Sequence, residues 1–153
     1  MWYNKIVENV SNIPAMIDHY DLQLTNCAIE VKIRGSLEIN LARLPGQVEA
    51  RFAELQEIEA ILNYLNIELR KLRRIYFQKY TENYNKALTS RDVDKYVDGE
   101  QAVCDFEMLI NEVALLRNRY LAVHKAFEAK GFVMNNITKL RCAGLENISV
   151  NDK

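Results

Sequence analysis

Hydrophobic residues recur with helical spacing from residue 55 to residue 127. Two stretches show the same pattern, in which apolar residues are separated by alternating steps of three and four. The first stretch comprises Leu55, Ile58, Leu62, Leu65, Leu69, Leu72 and Tyr76, and the second comprises Phe106, Leu109, Val113, Leu116, Tyr120, Val123 and Phe127. A strand would not keep this period, so each stretch predicts a long helix with a heptad stripe. Because the connection between them is short and polar, we expect an antiparallel helical hairpin.

Local signals set the expected ends of these two helices. Leu44-Pro45-Gly46 precedes the first stripe, and the pattern decays near Tyr84, so we place the first long helix at 47–88. Thr89-Ser90 then offers a new N-cap with an acidic residue in the following turn. We place the second long helix at 90–130.

Glycines and asparagines predict the end of the chain. Gly131 is a stop signal for the second helix. Asn135 or Asn136 can cap a short helix that Gly144 closes, giving an element at 135–144. Asp98-Gly99 either bends the second helix or precedes its true start.

The N-terminal segment, 1–46, is ambiguous between two patterns. Residues 28–44 alternate between apolar and polar on either side of Arg34-Gly35-Ser36, which is typical of a strand hairpin. The same residues also form a helical stripe, Ile29, Ile33, Leu37, Leu41 and Leu44. We predict helix, because a two-stranded ribbon alone is marginally stable. The expected fold is all-α: a single helical domain spanning 1–153, oligomeric, built on a long antiparallel hairpin.

Composition excludes several classes of protein. No apolar run reaches the roughly 18 residues that a membrane span needs, and the start, MWYNKIVENV, lacks the apolar region of a signal peptide. The three cysteines, Cys27, Cys104 and Cys142, are scattered without a CxxC spacing, which argues against a disulfide framework or a zinc site. We expect a cytoplasmic protein without metal or cofactor.

Recognisable catalytic chemistry is absent from the sequence. There is no glycine-rich phosphate loop, and the two histidines, His19 and His124, are far apart. His124 falls on the flank of a predicted helix, where we expect it to be solvated. We therefore predict that the protein is not an enzyme.

Charge is sorted into blocks although the net charge is only -1. Residues 1–69 contain five basic and ten acidic side chains, whereas residues 70–91 contain seven basic and one acidic. Residues 92–116 contain one basic and seven acidic, and residues 117–141 contain six basic and one acidic. Such sorting indicates pairing within the fold or binding to a charged partner.

The most basic stretch, LRKLRRIYFQKY at 69–80, has two interpretations. In an antiparallel hairpin Arg73 lies opposite Glu107, and Lys79 lies opposite Glu100, so charge could simply fix the register. The acidic run Glu54, Glu57 and Glu59 would likewise lie opposite Lys125 and its neighbours. Arg70, Lys71 and Arg74 point away from the partner helix, however, where exposed ion pairs contribute only about 0–1 kcal/mol.

Aromatic residues follow these cations at once. Phe77, Tyr80 and Tyr84 repeat at helical spacing beside the stripe residue Tyr76. Cations beside stackable rings suit single-stranded nucleic acid, since phosphates contact Lys and Arg while bases stack on the rings. Contact with another subunit or with the N-terminal segment would explain the rings equally well.

Three segments together resemble a known family. In order they are KLRRIYFQKY, then RDVDKYVDGE after a polar link, then AFEAKGFVMNNITKLRCAGLE after the second long stripe. This order is similar to that of the UvsY-type recombination mediators of tailed phages, over residues 68–146. The family's basic-x-basic pattern falls on Lys71 and Arg73, and Gly131-Phe132 matches its glycine-aromatic pair.

The resemblance implies a helical, ring-forming protein that binds single-stranded DNA. Such mediators help to load a strand-exchange recombinase onto strands coated by single-strand-binding protein. The residues expected to contact DNA are Arg70, Lys71, Arg73, Arg74, Tyr76, Phe77 and Lys79. The residues expected to contact other subunits are Phe132, Ile137, Leu140 and Arg141. The alternatives are a helical scaffold or adaptor that binds proteins without nucleic acid, and a small regulator of a polymerase or helicase.

Overall fold

Two long antiparallel helices form the frame of the molecule. The computed structural model describes residues 1–83 and 88–144. Its elements are α1 (Trp2–Glu8), a 3-10 turn (Val10–Asn12), α2 (Ile13–Glu30), α3 (Leu37–Asn83), α4 (Ser90–Asp98) and α5 (Gln101–Cys142). The described residues contain no strand, and none of their helices has the length and apolar character needed to cross a membrane. The prediction of an all-α fold is confirmed.

Both heptad stripes face each other across the hairpin, as predicted. Leu55, Ile58 and Leu65 of α3 are buried in one cluster with Val113 and Leu116 of α5. The guanidinium of Arg117 lies 3.0 Å from Glu59, which fixes the antiparallel register near the middle of the pair. Hydrophobic burial along this contact is the main source of the hairpin's stability.

The start of the first long helix was predicted wrongly. α3 begins at Leu37 and runs through Pro45, rather than beginning after Gly46. Leu37 packs with Met134 and Ile137 of α5, so burial in the hairpin holds this first turn. Pro45 is exposed, and the carbonyl group freed by its missing N–H can be hydrated there. At the other end α3 is described to Asn83, and the expected continuation over 84–87 lies outside the described residues. Leu88, the predicted last residue of the helix, is described and is not helical.

The ambiguous segment is two helices joined by a tight turn. α2 continues to Glu30, and residues 31–36 turn the chain into α3. Gly35 has a φ of 72°, a conformation that glycine adopts without steric cost. The side-chain amide of Asn40 donates to the carbonyl groups of Arg34 and Ser36 at 2.7 and 2.8 Å. Helix rather than strand is therefore correct for both sides of the segment, but the predicted continuous helical stripe is interrupted at 31–36, which includes Ile33.

The second half of the hairpin begins with a separate short helix. Thr89 caps α4, as predicted, with its side chain accepting from the backbone N–H of Asp92. α4 ends at Asp98, Gly99 follows as its C-cap, and α5 starts at Gln101. The true start of the long helix thus lies after Asp98-Gly99, and the expected single helix from residue 90 is interrupted.

The predicted stop at Gly131 and the separate helix at 135–144 are wrong. α5 passes through Gly131 and continues to Cys142. A Cβ at Gly131 would lie 3.3 Å from a methyl group of Leu44, so the glycine allows the two long helices to approach closely. Met134 and Ile137 beyond it are buried against Leu37, which extends the helical pattern. Gly144, with a φ of 80°, follows the helix as predicted.

The N-terminal helices cover the middle of the hairpin. Ile6, Met16 and Tyr20 are buried in the same cluster as the central residues of α3 and α5. The carboxylate of Glu57 accepts hydrogen bonds from the backbone N–H of Tyr3 at 2.9 Å and from the hydroxyl of Tyr20 at 3.0 Å. These bonds tie α1 and α2 to α3, and the two ends of the hairpin extend beyond them.

Candidate nucleic-acid interface

The basic stretch occupies the last turns of α3, at the end of the hairpin that α4 covers. We call this end the tip: residues 69–83 of α3, α4, and the first turns of α5. Val93, Val97 and Val103 are buried there against apolar residues of α3. The tip therefore has its own small core, which fixes the backbone from which the basic side chains project.

Several cations at the tip already have acidic neighbours. The guanidinium of Arg73 lies 3.4 Å from Glu107 and is hydrogen bonded to Asp98. The ammonium of Lys79 lies 3.8 Å from Glu100. Both contacts across the hairpin that the sequence predicted, Arg73 with Glu107 and Lys79 with Glu100, are confirmed.

The third predicted contact, between the acidic run Glu54, Glu57 and Glu59 and the region of Lys125, does not form. Glu59 pairs with Arg117, and Glu54 pairs with Arg51 at 2.8 Å. Glu57 is used by the N-terminal helices, as described above. The acidic run therefore does not meet Lys125, because the register brings other residues opposite it.

Lys71 has an acidic neighbour on its own helix. Its ammonium donates to the carboxylate of Glu68, one turn earlier, at 2.6 Å. This hydrogen bond raises the pKa of Lys71. The side chain stays 65% exposed, so the pair is a weak surface contact that an incoming phosphate can compete with.

Arg70 and Arg74 differ from the other cations. Both are exposed, and within residues 1–83 and 88–144 neither has a carboxylate within ion-pair distance. Arg70 donates through Nε to the carbonyl of Asn66 at 3.3 Å, which orients the side chain along the helix. The remaining guanidinium donors are open to solvent, and they are the donors best suited to bind phosphate oxygens.

These two arginines line a groove between α3 and α4. Its walls are formed by Arg70, Arg73, Arg74 and Phe77 of α3 and by Asp94 and Val97 of α4, and its volume is about 340 Å³. The groove thus combines guanidinium groups with an aromatic ring, as the sequence predicted. The position of Asp94 on the opposite wall was not predicted. The signal that could have indicated it is the acidic block at 92–116, to which Asp94 belongs.

Most of the aromatic rings are less available than expected. Tyr76 and Phe77 are half-buried against the tip core, and Phe77 also reaches the groove. Tyr80 stacks on Tyr96 of α4 with ring centroids 5.5 Å apart, and its hydroxyl is hydrogen bonded to Glu100. Tyr84 lies outside the described residues. Contact between α3 and α4 therefore accounts for much of this aromatic pattern.

The predicted subunit contacts lie near the other end of α5. Phe132 is 72% exposed, Leu140 is 37% exposed, and Arg141 is also exposed. Ile137 is only 9% exposed and packs inside the chain with Leu37. Its side chain is therefore used within the hairpin rather than offered to a second copy.

Other reactive side chains form no recognisable centre. His124 is half-buried between Phe52 and Glu128 rather than solvated, and Cys142 is exposed. Burial raises the pKa of the Cys27 thiol. No cluster of three or more His, Cys, Asp or Glu residues with metal-binding geometry occurs in the described part of the chain.

In comparisons with known proteins, no family model, no curated protein sequence and no solved structure matches this chain.

Proposed function

We propose that the protein is a recombination mediator that binds single-stranded DNA at the hairpin tip. The observation that carries the proposal is the pair of exposed guanidinium groups, Arg70 and Arg74. Neither has a carboxylate within ion-pair distance among the described residues, and both line a groove that contains Phe77. Lys71, Arg73 and Lys79 lie around the same groove or on the next turns. Phosphates would bind the arginines, and a base would pack on the exposed edge of Phe77.

The resemblance to UvsY-type mediators supplies the rest of the proposal. On that basis the protein acts as a homo-oligomer and binds a strand-exchange recombinase and single-strand-binding protein as partners. It performs no chemistry of its own and needs no cofactor. A homo-oligomer carries several tips in one assembly, which would compensate for the small number of open cations in one chain.

The direct test is titration of a fluorescent oligothymidylate at two salt concentrations. Arg70→Ala with Arg74→Ala is expected to weaken binding at least tenfold at low salt. Each lost phosphate contact should also reduce the salt slope by roughly 0.7, so the double variant should lose about 1.4. The matched control is Lys32→Ala with Arg43→Ala, which removes two exposed cations far from the tip.

A protein-binding scaffold is the second candidate. Its support is that Lys71, Arg73 and Lys79 already face carboxylates, which is the arrangement expected if charge only fixes the hairpin register. A scaffold would show no affinity for the oligonucleotide even at low salt. That result would remove the mediator proposal and leave the scaffold.

A further inference from the structure

An apolar face of α5 points away from the hairpin. Besides Phe132, four large hydrophobic side chains on this helix are exposed, namely Met108 (55%), Leu115 (64%), Val133 (48%) and Leu140 (37%). They are separated by 7, 18 and 7 residues, close to two, five and two turns of helix. They therefore share one face, which we call the outer stripe.

Small side chains occupy the middle of the outer stripe. Ala122, Ala126 and Ala129 continue the same face between Leu115 and Val133, and all three are exposed or half-buried. A helix that packs here could approach most closely at these alanines, because the distance between helix axes depends on the side chains at the contact. The stripe thus has a narrow centre with bulky residues on both sides.

The spacing of the stripe is symmetric about residue 124. Met108 and Leu140 each lie 16 positions from it, Leu115 and Val133 nine, and Ala122 and Ala126 two. If a second α5 packs antiparallel, Met108 meets Leu140 of the second copy and Leu115 meets its Val133. A surface that complements itself in this way is what a two-fold contact between identical chains requires.

Charges along α5 favour the same orientation. The first part of the helix, 101–116, contains three acidic and no basic side chains, whereas 117–141 contains six basic and one acidic. An antiparallel pair places Asp105 within two positions of Arg141 of the second copy, whereas a parallel pair would align like charges. Near the centre Arg119 already pairs with Asp21, and Lys130 donates to the carbonyl of Glu30.

We propose that two copies of the chain associate through the outer stripes of α5, antiparallel, about a two-fold axis near residue 124. This contact specifies a partner surface for the self-association included in the proposed function, and it forms whether or not DNA is bound. Exposed Lys125 lies beside the axis, which adds one small unfavourable contact between like charges. An isologous contact closes at two chains, so larger assemblies would need a further interface.

The first test changes the stripe and measures mass. Wild-type protein at micromolar concentration is expected to sediment as a dimer, and Leu115→Lys with Val133→Lys is expected to give a monomer. The matched control is Leu22→Lys with Ile29→Lys, two exposed residues of α2 (67% and 55%), which should remain dimeric. Circular dichroism checks that each variant keeps its helices. A monomeric wild type, or a stripe variant with the wild-type mass, would overturn the proposal.

The second test uses nearly native variants and reports orientation. In a background with Cys104→Ser and Cys142→Ser, one preparation carries Met108→Cys and another carries Leu140→Cys. Under mild oxidation the mixture should form disulfide-linked dimers, while each preparation alone should not, since antiparallel packing separates identical positions by about 48 Å. Cross-linking of Met108→Cys with itself, or no cross-linking in the mixture, would contradict the antiparallel contact. A dimer that fails to bind oligonucleotide would contradict the proposed function alone.

Discussion

The guanidinium of Arg73 lies 3.4 Å from the carboxylate of Glu107, so the basic stretch and the following acidic block touch directly across the hairpin. Asp98 holds the same guanidinium from the end of α4. Charge sorting along the sequence is therefore explained in part by the fold itself. Because Glu107 and Asp98 contact Arg73, bound DNA would have to compete with these two carboxylates for its guanidinium.

Removing this competition should strengthen DNA binding. Glu107→Gln with Asp98→Asn frees Arg73 and lowers the negative potential at the tip, so we expect oligonucleotide affinity to rise roughly threefold to tenfold at low salt. The measurement is fluorescence anisotropy with the same oligothymidylate. Asp18→Asn with Glu49→Gln, two exposed acids elsewhere, is the control. An equal gain in both variants would show that only net charge matters.

The cations at the tip should differ in their contribution to binding. Lys71→Ala with Arg73→Ala removes side chains that face carboxylates, whereas Arg70→Ala with Arg74→Ala removes side chains that do not. We expect the first pair to weaken binding less than the second, by a factor of about three or more. Both pairs remove two charges, so each serves as the control for the other. The reverse order would exclude Arg70 and Arg74 as the main phosphate contacts.

Two glycines in the long helices should respond in opposite directions. Gly46→Ala meets no atom within 4 Å and removes a flexible residue from a helix, so stability should rise by about 0.5–1 kcal/mol. Gly131→Leu would displace Leu44 and should cost about 1–3 kcal/mol. Urea unfolding followed by circular dichroism measures both. Equal stability of Gly131→Leu and wild type would rule out the close approach.

The partly buried hydrogen bond between Tyr20 and Glu57 should contribute measurably to the free energy of unfolding. Tyr20→Phe leaves one carboxylate oxygen of Glu57 without its donor, which should cost about 1–2 kcal/mol. Tyr3→Phe is the matched control, since it is the backbone N–H of Tyr3 that donates to Glu57. A similar loss in both variants would mean that general packing of the tyrosine rings, rather than this bond, is responsible.

Alkaline pH should destabilise the fold. Burial, and for Tyr20 the bond to Glu57, raises the pKa of Tyr20 and Tyr120 above the ordinary value of 10.0. Between pH 10 and the raised values the unfolded chain releases protons that the folded chain keeps, so stability falls as pH rises. Urea unfolding at pH 9 and pH 11 tests this. Tyr20→Phe should show a smaller decrease, and an unchanged decrease would refute the assignment.

The heptad stripes predicted the hairpin correctly because burial at three- and four-residue steps permits few alternatives. Local stop signals misled at Pro45 and Gly131, where packing of Leu37, Leu44 and Met134 outweighs the intrinsic preference for ending a helix. Glycine at 131 is there for close helix approach, and a single sequence does not distinguish this role from that of a helix terminator.

The tip was predicted in part. The two heptad stripes predicted the antiparallel register of the hairpin. In that register the basic and acidic blocks meet, which gave the contacts of Arg73 with Glu107 and of Lys79 with Glu100. The position of α4 depends on the break after Asp98, which the sequence left open, and so the stacking of Tyr80 on Tyr96 was not foreseen. Whether an arginine at the tip has an acidic partner depends on side chains of another helix. The spacing of residues within one helix does not predict those contacts.

The N-terminal helices also supply polar groups that the long hairpin cannot replace. The hydroxyl of Tyr120 donates to the backbone carbonyl of Tyr20, and the ammonium of Lys130 to that of Glu30. A shortened chain lacking its first thirty residues would lose both acceptors and would expose the apolar side chains that pack against Ile6, Met16 and Tyr20. These thirty residues are consequently an integral part of the folded core, and a hairpin excised without them should be recovered as aggregate.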